Sequence, residues 1–344
     1  MKIKLLGKNI HDMKIELQSV IKKKYQINQI YDWVYKKNEL SPDNFSNLSK
    51  AMRKEIKEKF AFNPLEIIEK KLSNDGSIKY LLSLSDGKKI ETVFIPQNNR
   101  VSICLSSQVG CKFGCKFCLT GKMGFIRNLE YYEIVSQLIT VLTDNGIKVG
   151  ERINLVFMGM GEPFDNYENV IKGIEVIIDT KGLSISPRRI TVSTIGLTEK
   201  LPDFLQTFPN IKLAISLNSP FSTKRREIMP VEKNSPIHDI LKILKRNARL
   251  IKHRVTFEYI MLKGVNDSIK DAKELEKITR GIPRKINLIP FNNFEKSGLV
   301  PTNQSEINKF AEYLRNFRIV VTIRDSKGKD IKASCGNLFA NERK

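Results

Sequence analysis

Residues 101–125 read "VSICLSSQVGCKFGCKFCLTGKMGF". An apolar, β-branched run, "VSICLS" (101–106), passes directly into a polar loop carrying Cys111, Cys115 and Cys118 in a C-x3-C-x2-C spacing. The run has strand character and the loop does not, so three thiols stand just beyond the C-terminal end of a strand. The same pattern recurs downstream in "INLVFM" (153–158), "RITVST" (189–194), "IKLAIS" (211–216), "RVTFEYI" (254–260) and "KINLIP" (285–290). Helical stretches such as "LEYYEIVSQLITVLTD" and "SIKDAKELEKIT" fall between them. Six strands alternating with helices imply an α/β fold of parallel strands joined by right-handed crossovers. "RIVVTIR" (318–324) offers a further strand. Polar and glycine-containing segments follow the strands: "GMGEP", "TIG", "LNSP" and "FNN". In parallel barrels the ligand site lies at the C-terminal strand ends. The pattern therefore points to one face of a partial (β/α)6 barrel over residues 99–325.

Upstream of the barrel the grammar changes twice. Residues 1–62 read as a helical unit, with "HDMKIELQSVIKKKY", "QINQIYDWVYKKN" and "SNLSKAMRKEIKEKF" spacing apolar residues helically and presenting lysine-dense outer faces. Residues 63–98 hold short strand-like runs separated by "NDG" and "DGK" turns, which predicts a small antiparallel β extension. At 344 residues the chain can bury a sizeable core. Its net charge of +22 points to a polyanionic partner, RNA being the natural one for the basic N-terminal unit. The start, "MKIKLLGKNIHDMK", lacks the apolar core of a signal peptide, and no apolar run has the length of a membrane span. A cytoplasmic protein with no membrane association is expected, and there clustered cysteines serve metals or catalysis rather than structural disulfides.

Three thiolates on one short loop can hold one face of a soft metal centre. A structural zinc wants four protein ligands, commonly as two separated pairs. No second pair exists here, and His11, His238 and His253 are isolated. A cubane iron–sulfur cluster normally takes four cysteines. With three, one iron keeps an open position at which a substrate or cofactor can dock. The competing reading from charge and cysteines alone is a non-enzymatic RNA-binding protein with a structural zinc.

The C-x3-C-x2-C loop with Phe117 before its last cysteine resembles the radical S-adenosylmethionine superfamily. "SSQVGC", "FMGMGEPFDN", "SPRRITVSTIG", "YIMLKGVND", "KINLIPFN" and "IKASCGNL", in that order, resemble the RlmN/Cfr family of RNA adenosine methyltransferases over almost the whole chain. The resemblance implies a [4Fe–4S] cluster on Cys111, Cys115 and Cys118, with the methionine part of S-adenosylmethionine completing the fourth iron. It assigns cofactor contacts to Phe117, Gly161, Glu162, Ser193, Ser216, Leu217, Asn218 and Asn292. The sequence departs from the family at Asn218, where histidine is usual; a carboxamide can hydrogen-bond there but cannot become cationic.

The resemblance also implies the chemistry of the two outlying cysteines. Cys335, in the C-terminal loop 326–344, takes a methyl from one S-adenosylmethionine. A second yields an adenosyl radical that removes a hydrogen from that methyl, so two are used per turnover. The methylene radical adds to the adenine, and Cys104 releases the product through a transient disulfide with Cys335. Glu91 is the implied proton acceptor, although by itself it reads as a surface carboxylate. The polar flank "ASCGN" predicts an exposed, mobile loop for Cys335. Implied substrates are an adenosine of 23S ribosomal RNA and the adenosine 3′ of the anticodon in transfer RNA, flipped out of the stack to be reached. An electron donor such as flavodoxin or ferredoxin and a monomeric enzyme are expected. Pro163 in "GMGEP" favours the carbon-2 enzymes; the alternative is carbon-8 methylation of the kind that confers antibiotic resistance.

Overall fold

The computed structural model describes residues 2–148, 150–294 and 297–340. Ten strands form one sheet. Seven of them, Arg100–Cys104, Ile153–Phe157, Ile190–Thr194, Lys212–Ser216, Val255–Met261, Arg284–Pro290 and Val320–Ile323, lie side by side in chain order and pair in parallel. Each strand read from the sequence is present to within a few residues, and the further run becomes the seventh parallel strand. Each strand starts at or within a residue or two of a charged residue and stops at a loop. Their middles, such as Leu155, Val192, Ile215, Phe257 and Ile286, are fully buried.

Several of the connecting helices begin at side-chain caps. Ser268 and Asp271 form a reciprocal capping box ahead of Ile269–Thr279, and Asn303 accepts the backbone N–H of Glu306 at 2.9 Å ahead of Gln304–Arg315. The helix Tyr131–Asp144 is buried along most of its length because it packs on both the sheet and the helix Tyr167–Ile178.

The β extension is not a separate appendage. Glu66–Leu72, Ile78–Ser83 and Lys89–Gln97 pair antiparallel with one another, and the last pairs antiparallel with Arg100–Cys104, continuing the same sheet. The N-terminal helices Ile10–Glu16, Tyr25–Tyr35 and Lys50–Lys59 share one apolar cluster with the barrel. Leu5, Met13, Leu17, Ile30 and Ile56 are buried in it. The stretch 11–25 is not one helix. It ends at Glu16 and passes through a 3-10 turn, and the Gln26 side chain then takes the N–H groups of Lys22 and Lys23 at 2.9 and 2.8 Å.

The C-terminal segment 326–340 has no regular structure but is anchored along its length. Asp330 accepts from Ser73 at 2.5 Å, Gly328 N–H donates to Asp75 at 2.9 Å, and Thr120 donates to the Leu338 carbonyl at 2.7 Å. The exposed loop expected around Cys335 is instead a strap tied to the β extension and to the cysteine loop. No described helix is long and apolar enough to cross a membrane.

Candidate active site

Cys111, Cys115 and Cys118 line one cavity of about 140 Å³ at the C-terminal strand ends. Gly161, Glu162, Ser193, Ser216, Asn218 and Cys335 line it as well, and Phe117 closes it from the cysteine loop. Burial pushes the Cys111 thiol up to about 12 and raises Cys115 and Cys118, with the neighbouring thiols adding to the effect on Cys111 and Cys115. Such thiols ionise only against a strong local cation. Among the described residues no three His, Cys, Asp or Glu side chains close on a single ion. The donor set is thus no ready-made zinc site, and it suits a larger group whose thiolate ligands sit on separate metal atoms.

Glu162 is buried, and desolvation raises its carboxyl to about 7 against the N–H groups of Ile195 and Phe164, each donating at 3.0 Å. Gly161 before it has φ +94°, and a Cβ there would stand 2.5 Å from the Gln108 side chain, so the turn that presents Glu162 requires glycine. Asn218 adopts φ 57°, a left-handed conformation that asparagine tolerates. Its Oδ1 accepts from Ile260 at 2.9 Å, tying the fourth parallel strand's exit to the fifth.

A larger cavity of about 530 Å³ lies in the barrel interior between the first two parallel strands and the last two. Cys104 and Val156 line one side, Asn287, Thr322 and Arg324 the other. The parallel strands therefore curl until first and last face each other. Met158 and Cys335 belong to the walls of both cavities. Cys335 is held there by its neighbours. The Gly336 carbonyl accepts from Leu119 N–H at 2.7 Å, and a Cβ on Gly336 (φ +83°) would stand 2.8 Å from the Phe117 carbonyl. Burial raises both outlying thiols, Cys104 to about 12, while the Arg324 guanidinium opposes the rise at each.

Some assigned positions take other places. Glu91 is buried rather than on the surface; its carboxylate pairs with Lys79 at 2.8 Å and accepts from Phe339 N–H at 2.7 Å. It lines neither cavity with Cys335. Asn292 donates to the Cys335 carbonyl and to Ser326, both at 3.3 Å, and so braces the strap. Leu217 is buried behind the site, its carbonyl accepting from Arg225 at 3.0 Å.

Three residues escaped the sequence reading. Glu258 is a buried carboxylate lining the cysteine cavity and accepts from Asn287 at 3.3 Å. Arg324 faces both outlying thiols and Glu258, which raise its own pKa, the Cys335 charge foremost. Arg225, fully buried, pairs with Glu232 and donates to the carbonyls of Ile195, Ser216 and Leu217, fixing the strand-end loops. The one available signal was a charged residue at an inward-phase position of an apolar strand, as at Glu258 and Arg324.

A partial parallel barrel with three cysteines on the loop after its first strand defines a radical S-adenosylmethionine protein. Residues 105–275 match the Radical SAM superfamily, and residues 3–61 match the ribosomal RNA large subunit methyltransferase N-terminal domain. The chain is 44% identical to a dual-specificity RNA methyltransferase RlmN of Nitratiruptor sp., covering 96% of this chain and 97% of that one. It is 42% identical to a probable dual-specificity RNA methyltransferase RlmN of Dictyoglomus turgidum, covering 98% and 96%. A crystal structure of a radical SAM methyltransferase from Sphaerobacter thermophilus superposes with a TM-score of 0.92 at 34% identity, covering 98% of this chain and all of that one. The chain belongs to the RlmN family. Membership implies a [4Fe–4S] cluster and S-adenosylmethionine, which the three loop thiols and the adjoining Glu162 cavity fit.

Proposed function

We propose that the protein methylates carbon 2 of an adenosine in 23S ribosomal RNA and of the adenosine 3′ of the anticodon in transfer RNA, with Cys335 as the methyl carrier. The observation that carries this reading is the position of Cys335 on the partition between the cysteine cavity and the Cys104 cavity. A carrier must be loaded and activated on one side and meet its acceptor on the other.

When bound, one S-adenosylmethionine would supply the methyl group, leaving as S-adenosylhomocysteine, and a second, on the cluster, would supply one-electron hydrogen abstraction. Cys111, Cys115 and Cys118 hold the cluster, and Glu162, Ser193, Ser216 and Asn218 orient the cofactor around it. Arg324 favours the thiolate of Cys335, the form that accepts a methyl. Once the carrier carbon is bonded to the adenine, the Cys104 sulfur attacks the Cys335 sulfur. The adduct gives up the ring proton and returns one electron to the oxidised cluster, the S–S bond forms as the sulfur–methylene bond breaks with its electron pair on carbon, and a proton from solvent completes the methyl group. An external reductant then resets both thiols.

Glu91 takes the proton in this scheme. Its oxygens are held by Lys79 and Phe339 N–H, so the strap must shift to free them. Pro163 beside Glu162 supports carbon 2 over carbon 8. The electron donor is a flavodoxin or ferredoxin, and the enzyme acts as a cytoplasmic monomer. The test is mass spectrometry of RNA nucleosides from a deletion strain and its complemented strain. 2-Methyladenosine lost and regained in both RNAs is expected; 8-methyladenosine, or no change, would contradict the reading.

A further inference from the structure

Side chains along a strand alternate between faces, so residues in phase with the cavity-lining positions also point inward. Cys104, Met158, Ser193, Ser216, Glu258 and Asn287 line the two cavities. Counting back in steps of two toward the N-terminal strand ends leads to Arg100, Arg152, Arg189, Lys212, Arg254 and Lys285. Each of the six strands thus has a cation at its base: Arg100, Lys212 and Lys285 within the strand, and Arg152, Arg189 and Arg254 on the residue just before it. Strand register brings neighbours together: Ser102 lies beside Asn154, Thr191 beside Lys212, and Thr256 beside Lys285. Arg100, Arg152 and Arg189 share the wall of a basal cleft of about 690 Å³. Arg100 and Lys285 also line the interior cavity that holds Cys104 and Cys335. The basal cleft and the interior cavity share Gln97, Arg100 and Lys327 and so adjoin.

The charges are unbalanced. Among the described residues none of Arg100, Arg152, Arg189, Lys212 and Lys285 lies within ion-pair distance of a carboxylate, whereas Arg284 is paired with Glu276 and Lys327 with Asp325. Lys212 lies where its pKa is lowered by partial burial and then by Lys285, Arg100 and Arg189. Asp75 and Asp325 are the acidic groups on these walls, and both are engaged, Asp75 by the N–H groups of Ser77 and Gly328 at 2.9 Å. Some N-terminal lysines differ: Lys36 pairs with Asp32, Lys57 with Asp43, and Lys59 with Glu55.

A ring of unpaired cations that repel one another is costly unless an anion neutralises it. We infer that the N-terminal end of the barrel is an RNA entrance, where the inward cations hold the phosphates flanking the target nucleotide while its base reaches Cys335 through the interior cavity. The cavity has the volume of a small-ligand site. Regularly spaced cations around an opening match a chain of phosphates better than a single anion. This inference rests on the RNA-modifying reading above and adds the surface that admits the RNA.

The test uses full-length, cluster-loaded protein with unfractionated transfer RNA as the probe. The variant Arg152→Gln/Lys212→Gln/Lys285→Gln should bind about tenfold or more weakly near physiological salt, and its slope of log affinity against log salt should drop by about 2. Lys36→Gln/Lys57→Gln/Lys59→Gln should change both far less. Methylation of Cys335, which needs no RNA, reports that each variant is folded. On the unmodified protein, bound RNA should shield Lys212 and Lys285 from acetylation and leave Lys309, which sits on an outer helix, reactive. An unchanged slope with no shielding, in a protein that still methylates RNA, would overturn the entrance alone. Absence of RNA binding by the wild type would overturn the RNA-modifying reading with it.

Discussion

Among the three cysteines of the loop and the two outside it, Cys104 and Cys115 are buried and Cys111, Cys118 and Cys335 half-buried, yet it is their electrostatic settings that separate them. Cys111, Cys115 and Cys118 sit within eight residues of sequence; burial raises all three thiols, and neighbouring thiols raise Cys111 and Cys115 further. Among the described residues, Arg225 is the cation that opposes the rise, and it does so at Cys115. Cys104 and Cys335 come from opposite ends of the barrel sequence, and the fold sets Arg324 against both. The trio shares no single cation and is suited to a metal cluster that brings positive charge to all three. The pair carries its own cation and is suited to thiol chemistry. Close spacing in sequence suits a ligand set; a shared arginine brought in by the fold suits a reactive pair.

The largest effects should separate the two sets cleanly. Replacing any one of Cys111, Cys115 or Cys118 by alanine should abolish cluster loading, read as iron and sulfide content, since three ligands are already fewer than a cubane normally has. Cys335→Ala should load iron normally and form no methylated RNA. A trio variant with full iron content, or a Cys335 variant without iron, would erase the distinction.

Glu162 gives a second contrast on the cluster side. Its folded carboxyl titrates near 7 because of burial, against 4.5 for an ordinary one. Between those values the folded protein holds a proton that the unfolded chain has released. Stability of the cluster-free protein should therefore fall as pH rises from about 4.5 to 7, by roughly 3 kcal/mol. Glu162→Gln should flatten that part of the curve in denaturant titrations; an unchanged slope would show that Glu162 is not the group responsible.

On the other side, Arg324→Gln removes the cation facing the pair. Alkylation of Cys104 and Cys335 by iodoacetamide at pH 8 should slow several-fold relative to wild type, because less thiolate is present. Cys111 should react as before. Equal slowing at all sites would point to a general closing of the fold instead.

The parts that were legible in sequence are those built from local patterns. The cluster loop announces itself by spacing, and the strands by apolar runs that stop at polar loops. Glu162, Ser193 and Ser216 follow because they sit at strand ends. Contacts made across the fold left no such trace. Glu91 looks like a surface carboxylate because its partners, Lys79 and Phe339, approach from a neighbouring strand and from the strap. The flank of Cys335 is polar and glycine-containing, as in a free loop, but those polar groups bind Asn292 and the cysteine loop. Arg225 lies in an ordinary basic helix, "STKRREI", and nothing in that string distinguishes the arginine that is fully buried from its neighbour Arg226. The basal cations were visible only as a share of the +22 net charge until strand phase showed that they point the same way.

The central claim is that Cys335 carries the methyl and Cys104 releases it. It is tested most directly by expressing Cys104→Ala in cells, digesting the purified protein with nuclease and protease, and weighing the peptide that contains Cys335. The account predicts an adenosine joined to Cys335 through a methylene, because addition to the base still occurs and the releasing thiol is gone. Free Cys335 together with normal RNA methylation would contradict it, and an adduct on another cysteine would show that the two roles are reversed.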